Sequence, residues 1–393
     1  MKLKVLFLAT GLLFLLSAKA DISFLKQPDW KDVMGKAKET HKFIFVDAYT
    51  DWCSWCKEMD KTTFTDTTVI AFMNQNFICV KMDMEKDLGA DMAMKYRVNG
   101  YPTYLVFSPD GRFIERTVGY MKPFDFIKTV DKIKGTPESD YPKGVSTEMN
   151  PAFPDFYRAA FVKNKDGKRV LPDSTVVRDY FNHTKDYTSE INWSIVWRYH
   201  YMVPQLDSWI LSHHSQLRSL FGNAEIESLL SAIIYTRVKK AAEKKDEAML
   251  DKEVLPLVDS LLTKDSQSAK TGYRLDFYRF EGDYVKAMKT LGEMITMPGM
   301  GDYTGIVNEV CWDVYEKSDD PIAIQSAVKA MKLIVTQNPV YYYLDTYAAL
   351  LYKQKDYSDA EKYAKIAIDT GKKADMNVEE TEKLLEKIRA AKG

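Results

Sequence analysis

Cys53 and Cys56 stand three apart in the run Phe43 to Lys57, FIFVDAYTDWCSWCK. Phe43 to Val46 is apolar, aromatic and β-branched, which predicts a buried strand, and Thr50-Asp51 predicts a polar turn after it. If a helix starts at the cysteines, residues i and i+3 share one side of its first turn. The two sulfurs are then close enough to bond reversibly. A helix N-terminus carries about half a positive charge and favours a thiolate at Cys53, expected to be the more exposed sulfur. The pattern reads as a redox dithiol. Its alternatives are a static disulfide or half of a zinc site. Tetrahedral zinc needs four ligands, and no second C-x-x-C or H-x₃-H occurs. In the redox reading the Cys53 thiolate attacks a partner's disulfide, and Cys56 then attacks Cys53 and frees the reduced partner.

The elements that position this pair can be read on both sides of it. Asp29 to Thr40 has a helical rhythm, with Trp30, Val33, Met34 and Ala37 on one face. Lys57 to Lys61 continues the cysteine helix, and Thr65-Asp66 caps another over Thr67 to Gln75. Phe77 to Met82 reads as a strand and Asp91 to Tyr96 as a helix. After the break at Asn99-Gly-Tyr-Pro102, Thr103 to Phe107 and Arg112 to Val118 form a hairpin around Ser108-Pro-Asp-Gly111. Phe124 to Ile133 closes with a helix. The order α, β, α, α, β, α, β, β, α predicts an α/β domain over 21–137, a mixed sheet flanked by helices. Four prolines (Pro137, Pro142, Pro151, Pro154) mark 138–155 as a linker or an irregular wrap between domains. From Phe156 to the end the chain reads as all-α.

Length and composition set the remaining bounds. A chain of 393 residues, 46% hydrophobic and 28% charged, is long enough for two or three globular domains. A net charge of −1, with no basic run interleaved with aromatics, gives little attraction for phosphate, so no nucleic-acid partner is expected. Residues 1–20 read as a signal peptide: a basic start at Lys2 and Lys4, an apolar core from Val5 to Leu16, and Ala18-Lys-Ala20 at the cleavage site. The apolar core is too short to span a bilayer comfortably. The expectation is an exported chain without stable membrane insertion, periplasmic or secreted. Only four cysteines are present, too few for a disulfide scaffold, so Cys79 and Cys311 are expected to be inert core thiols. His213 and His214 diverge by about 100° on a helix, so no metal site is expected there. The aromatic cluster from Tyr187 to Trp209 reads as core.

These residues resemble the thioredoxin superfamily over roughly Asp21 to Gly135, in particular the thioredoxin-like domains of exported bacterial thiol:disulfide interchange proteins. There, W-C-x-x-C-K is followed by a helix, a Phe-x-Asp break and a second helix, as Trp52 to Lys57 and Phe64-Thr-Asp66 are here. The resemblance implies further roles. Asp47 falls where the family keeps a buried carboxylate that relays protons to the second thiol; a solvated turn residue is the alternative. Lys81 matches the carboxylate's basic neighbour. Tyr101-Pro102 matches the cis-proline pair that faces the dithiol and can pair with an extended substrate segment. Gly119 matches a glycine after the last strand. Trp52 and Trp55 are candidate partner contacts, with Trp52 equally placed to be core. Ser54-Trp55 replaces the family's Gly-Pro, and the helix-kinking proline is missing. Since related folds span about −270 to −120 mV, the direction of exchange stays open.

The C-terminal part resembles tetratricopeptide repeats near 274–375. Val285-Lys-Ala-Met-Lys289 recurs as Val328-Lys-Ala-Met-Lys332, and small residues such as Ala348, Ala360 and Ala364 alternate with large ones. Together with the signal peptide, the thioredoxin resemblance implies an exported thiol–disulfide oxidoreductase that uses no cofactor beyond its own disulfide. Its expected partners are disulfide-containing proteins and an electron donor, a membrane thiol reductase, with the helical domain binding a partner. Two other readings stand beside this one: a disulfide isomerase or holdase, and a non-enzymatic helical-repeat adaptor on a thioredoxin scaffold.

Overall fold

The computed structural model describes residues 21–149, 152–262, 266–298 and 302–392. The signal-peptide expectation for 1–20 lies outside them. Contacts divide the chain between Ile226 and Glu227 into two compact units.

The first unit is built on a five-stranded mixed sheet. Its strands are β1 (Leu25–Lys26), β2 (Phe43–Tyr49), β3 (Phe77–Asp83), β4 (Thr103–Phe107) and β5 (Phe113–Val118), in the order β1-β3-β2-β4-β5. β3 runs parallel to β1 and β2, while β4 is antiparallel to β2 and β5. The helices between them are α1 (Trp30–Thr40), α2 (Ser54–Lys61), α3 (Thr67–Asn76), α4 (Asp87–Lys95) and α5 (Pro123–Lys134). Side chains alternate along a strand, so Phe45 and Asp47 share one face of β2. Phe45 packs there against Phe126 of α5 and Phe77, in a core that includes Met59 of α2 and Val69 of α3. On the other face Trp30 of α1 and Tyr96, just after α4, meet Phe107 edge-on. Asp66 caps α3, its carboxylate accepting the amides of Thr68 and Val69, a contact worth about 1 kcal/mol. α4 begins at Asp87, a turn earlier than the sequence suggests. Gly89 allows it, because a Cβ there would stand 2.0 Å from the Asp83 carbonyl oxygen.

The first unit continues through α6 (Asp155–Arg158), α7 (Ser174–His183), α8 (Glu190–Tyr199), α9 (Pro204–Phe221) and the start of α10 (Asn223–Glu243). The proline-rich stretch read as a linker lies within it. The Gly144 amide donates to the Leu220 carbonyl at 2.7 Å, and a Cβ on Gly144 would meet the Phe221 ring at 2.8 Å. Two fully buried cations tie the sheet region to these helices. Lys95 pairs with Glu190 at 2.5 Å, and Arg97 with Glu225 at 2.8 Å, whose other oxygen accepts the Trp193 indole N–H.

The second unit is mostly helical. It includes a helical stretch over 247–261 and the helices Ser266–Glu281, Tyr284–Ile295, Thr304–Lys317, Pro321–Gln337, Tyr341–Lys353, Tyr357–Lys373 and Glu379–Lys392. One apolar core runs from Ile234 to Ile388 through Cys311, Ala327, Ala348 and Ala364. Among the described residues no helix is long and apolar enough to cross a membrane.

Candidate active site

β2 ends one residue before the turn that leads into α2. Cys53 is the N-cap of α2, and its amide donates to the Thr50 carbonyl at 3.1 Å. Cys53 and Cys56 are joined as a disulfide with Cα atoms 5.3 Å apart, and the Cys56 amide donates to Cys53 Sγ at 3.0 Å. That N–H, one of those left free at a helix start, would also stabilise a thiolate on Cys53. The expectation that Cys53 is the more exposed sulfur does not hold in the oxidised state, where each cysteine is 4% exposed. The bond turns the sulfurs toward one another, and it is Cys56 that lines a cleft of about 450 Å³ with Phe24, Tyr49, Lys57, Asp60 and Lys81.

Behind the dithiol, strand register sets Asp47 beside Lys81 of β3 and Tyr104 of β4. Asp47 Oδ2 lies 3.4 Å from Lys81 Nζ, and Oδ1 is buried without a hydrogen-bond partner. Burial pushes the Asp47 carboxyl from its ordinary 3.8 up to about 7; Lys81 opposes this and Asp60 adds to it. Burial alone would lower the Lys81 ammonium, but Asp47 and Asp60 together hold it above its ordinary value. Lys81 also bonds Asp60 closely and lies 5.5 Å from the centre of the Tyr49 ring. Asp60 was missed in the sequence although it follows Cys56 by four residues, the spacing that puts both on one helix face.

The opposite side of the dithiol carries rings. The Tyr101–Pro102 bond is cis, and the Pro102 carbonyl accepts the Gly119 amide at 2.9 Å, with Gly119 at φ +106°. Trp52 is exposed rather than core, and its ring meets Tyr101 edge-on at 5.7 Å. Trp55, also exposed, lies 5.5 Å from Tyr120. The Trp52 indole N–H donates to Glu85 Oε1 at 3.1 Å. Burial alone would raise the Glu85 carboxyl, but hydrogen bonds from Trp52 and Lys163 and the charge of Arg169 hold it below its ordinary value. Glu85 carries no local sequence signal.

The other singled-out residues lie elsewhere. Cys79 and Cys311 are free and buried in separate units, and burial raises the Cys79 thiol to about 12. His213 stacks on Trp209, and among the described residues no cluster of three metal-ligating side chains occurs. Trp193 and Tyr199 of the aromatic cluster are buried.

A mixed sheet, a strand-to-helix turn carrying two bonded cysteines and a cis-proline after Tyr101, whose ring meets Trp52, define a thioredoxin-like domain. Residues 30–134 match that family, and this part of the chain is a thioredoxin-like domain. The chain is similar to the thiol:disulfide interchange protein DsbD of Colwellia psychrerythraea, 33% identical over 108 residues, 26% of this chain and 18% of that protein. The DsbD of Pasteurella multocida is 32% identical over 101 residues, 25% of this chain and 18% of that protein. The chain thus spans under a fifth of the length of these relatives. Among solved structures, a candidate disulphide isomerase from Bacteroides thetaiotaomicron has 34% identity and a TM-score of 0.29, covering 30% of this chain and 99% of its own. A thioredoxin from Thermus thermophilus has 20% identity and a TM-score of 0.27, covering 29% and 89%.

Proposed function

We propose that this protein is an exported thiol–disulfide oxidoreductase that reduces disulfides in protein partners. The observation that carries the reading is the pairing of a bonded Cys53–Cys56 at a helix start with a buried carboxyl whose pKa lies near 7. Once the dithiol is reduced, the Cys53 thiolate attacks one sulfur of the partner's disulfide, and the other sulfur leaves as a thiolate and takes up a proton. Cys56 then loses its proton to Asp47 through a water. Its thiolate attacks Cys53, the Cys53–partner bond breaks, and two electrons have passed to the partner. A carboxyl that titrates near 7 suits this step, since it is both available as a base and able to release the proton again. Lys81 is a positioning residue that keeps the Asp47 charge from rising further in energy.

Tyr101 and Pro102 offer an edge for an extended partner segment, and Trp52 and Trp55 flank it as apolar contacts. Regenerating the dithiol requires a donor outside this chain. A membrane thiol reductase fits the exported setting and the thiol:disulfide interchange relatives, and the periplasm is the compartment this implies. The helices near 274–375, read as tetratricopeptide-like repeats, would hold a partner protein.

The test is a pair of variants in the full chain. Cys53→Ser should abolish reduction of insulin and of a synthetic disulfide. Cys56→Ser should accumulate mixed disulfides with client proteins, visible on non-reducing gels. Reduction that persists in Cys53→Ser would remove the oxidoreductase reading.

A further inference from the structure

Residues 159–171 lie outside the family-matched segment, yet they reach its redox end. They form a closed arm. Val170 N–H donates to the Ala159 carbonyl and Asn164 N–H to that of Lys168, both at 2.8 Å. Asn164 Oδ1 accepts the amides of Asp166 and Lys168 at 3.0 Å. Arg169 Nε donates to the Phe161 carbonyl at 3.0 Å, and Arg198 of α8 lies 4.4 Å from the centre of the Phe161 ring.

Glu85 latches this arm to the residue before the nucleophile. Its Oε1 accepts both the Trp52 indole N–H at 3.1 Å and Arg169 at 2.6 Å, and Oε2 accepts Lys163 at 3.0 Å. The carboxylate is only 13% exposed, so these charge-assisted bonds hold better than a typical surface pair. Residues 162–171 are all exposed. They present Val162, Val170 and Leu171 to solvent, the last at 65% exposure. Residues 159–171 contain four basic side chains and one acidic. Two of the four are engaged by Glu85, which leaves Lys165 and Lys168 against Asp166 on the outer turn. Exposed apolar groups beside a net positive turn complement an acidic, partly apolar chain and repel a basic one.

We infer that the 159–171 arm is the partner-specificity element of this dithiol, docking acidic, disulfide-bearing polypeptide segments beside Trp52. The inference rests on the oxidoreductase reading for the chemistry, but the docking can be measured apart from it. Two short fluorescent peptides with the same apolar residues, flanked by Asp and Glu in one and by Lys in the other, are prepared with serines in place of their cysteines. Binding to the full chain is followed by anisotropy at low salt. The acidic peptide should bind about tenfold more tightly than the basic one, and added salt should collapse the difference. A Lys165→Glu/Lys168→Glu double variant should lose the preference while reducing hydroxyethyl disulfide, a small uncharged probe, at the unaltered rate. Equal binding of the two peptides, or a preference that survives the double substitution, overturns the arm's role. A wild-type chain that prefers the acidic peptide but cannot reduce hydroxyethyl disulfide supports the docking arm and removes the redox reading.

Discussion

Replacing Asp47 with asparagine should change how the stability of the oxidised protein depends on pH. The Asp47 carboxyl titrates near 7 in the folded chain against an ordinary value of 3.8. A carboxyl whose folded pKa is raised binds its proton more tightly in the native state than in the unfolded chain. Its contribution is therefore fully present below about pH 4 and is lost as pH rises through about 7. Integrated over the whole range, the loss approaches about 4 kcal/mol at 1.36 kcal/mol per unit. More than half of that loss falls between pH 5 and pH 8. Asparagine is nearly isosteric and does not titrate, so the variant should lack this slope and be more stable than wild type at pH 8. Urea unfolding of both oxidised proteins, followed by tryptophan fluorescence at several pH values, yields the difference directly. A free-energy gap that stays constant from pH 5 to pH 8 would refute the assignment of a near-neutral carboxyl to Asp47. The same variant should slow release of the partner from the mixed disulfide, so stability and turnover should move in opposite directions at pH 8.

Four further substitutions test other parts of the account. Lys81→Met removes the cation beside Asp47, so the pH profile of mixed-disulfide resolution should shift to higher pH by about one unit; an unmoved profile would separate Lys81 from the site. Glu225→Gln leaves Arg97 buried without its counter-charge and should cost about 3 kcal/mol in urea unfolding, while an effect below about 0.5 kcal/mol would show that the pair is not needed. Gly89→Ala forces a Cβ against the Asp83 carbonyl and should destabilise by about 2 kcal/mol or more. Gly35→Ala in α1, where a Cβ meets nothing within 4 Å, should be neutral or stabilising by up to about 1 kcal/mol; thermal melts compare the two.

The α/β order was legible because its strands are short apolar runs bounded by strong turn residues, as around Ser108-Pro-Asp-Gly111. β1 escaped notice since two residues, Leu25 and Lys26, are too few to show alternation. Cys53 and Cys56 were legible through their spacing on one helical turn, and Asp47 through the resemblance to the thioredoxin superfamily. Glu85 was not, because two of its partners, Lys163 and Arg169, lie 78 and 84 residues away and no local period links them. Lys95 and Arg97 look like ordinary surface cations in the sequence. Their counter-charges stand 95 and 128 residues further on, so burial could not be foreseen from their neighbours. Pro142 and Pro154 do mark irregular backbone, but irregular backbone is not the same as separation, as the Gly144–Leu220 bond illustrates.

The buried pairs at Lys95 and Arg97 bear on how this protein should be dissected. A fragment cut at the end of the family match would keep both cations and discard Glu190 and Glu225. Its surface would then expose Tyr96 and its neighbours, whose covering helices are gone, around two charges stripped of their anions. Such a piece should be recovered as aggregate, whereas one ending after the start of α10 should be recovered in solution. The hundred or so residues that evolution reuses as a module are, in this chain, less than one folding unit.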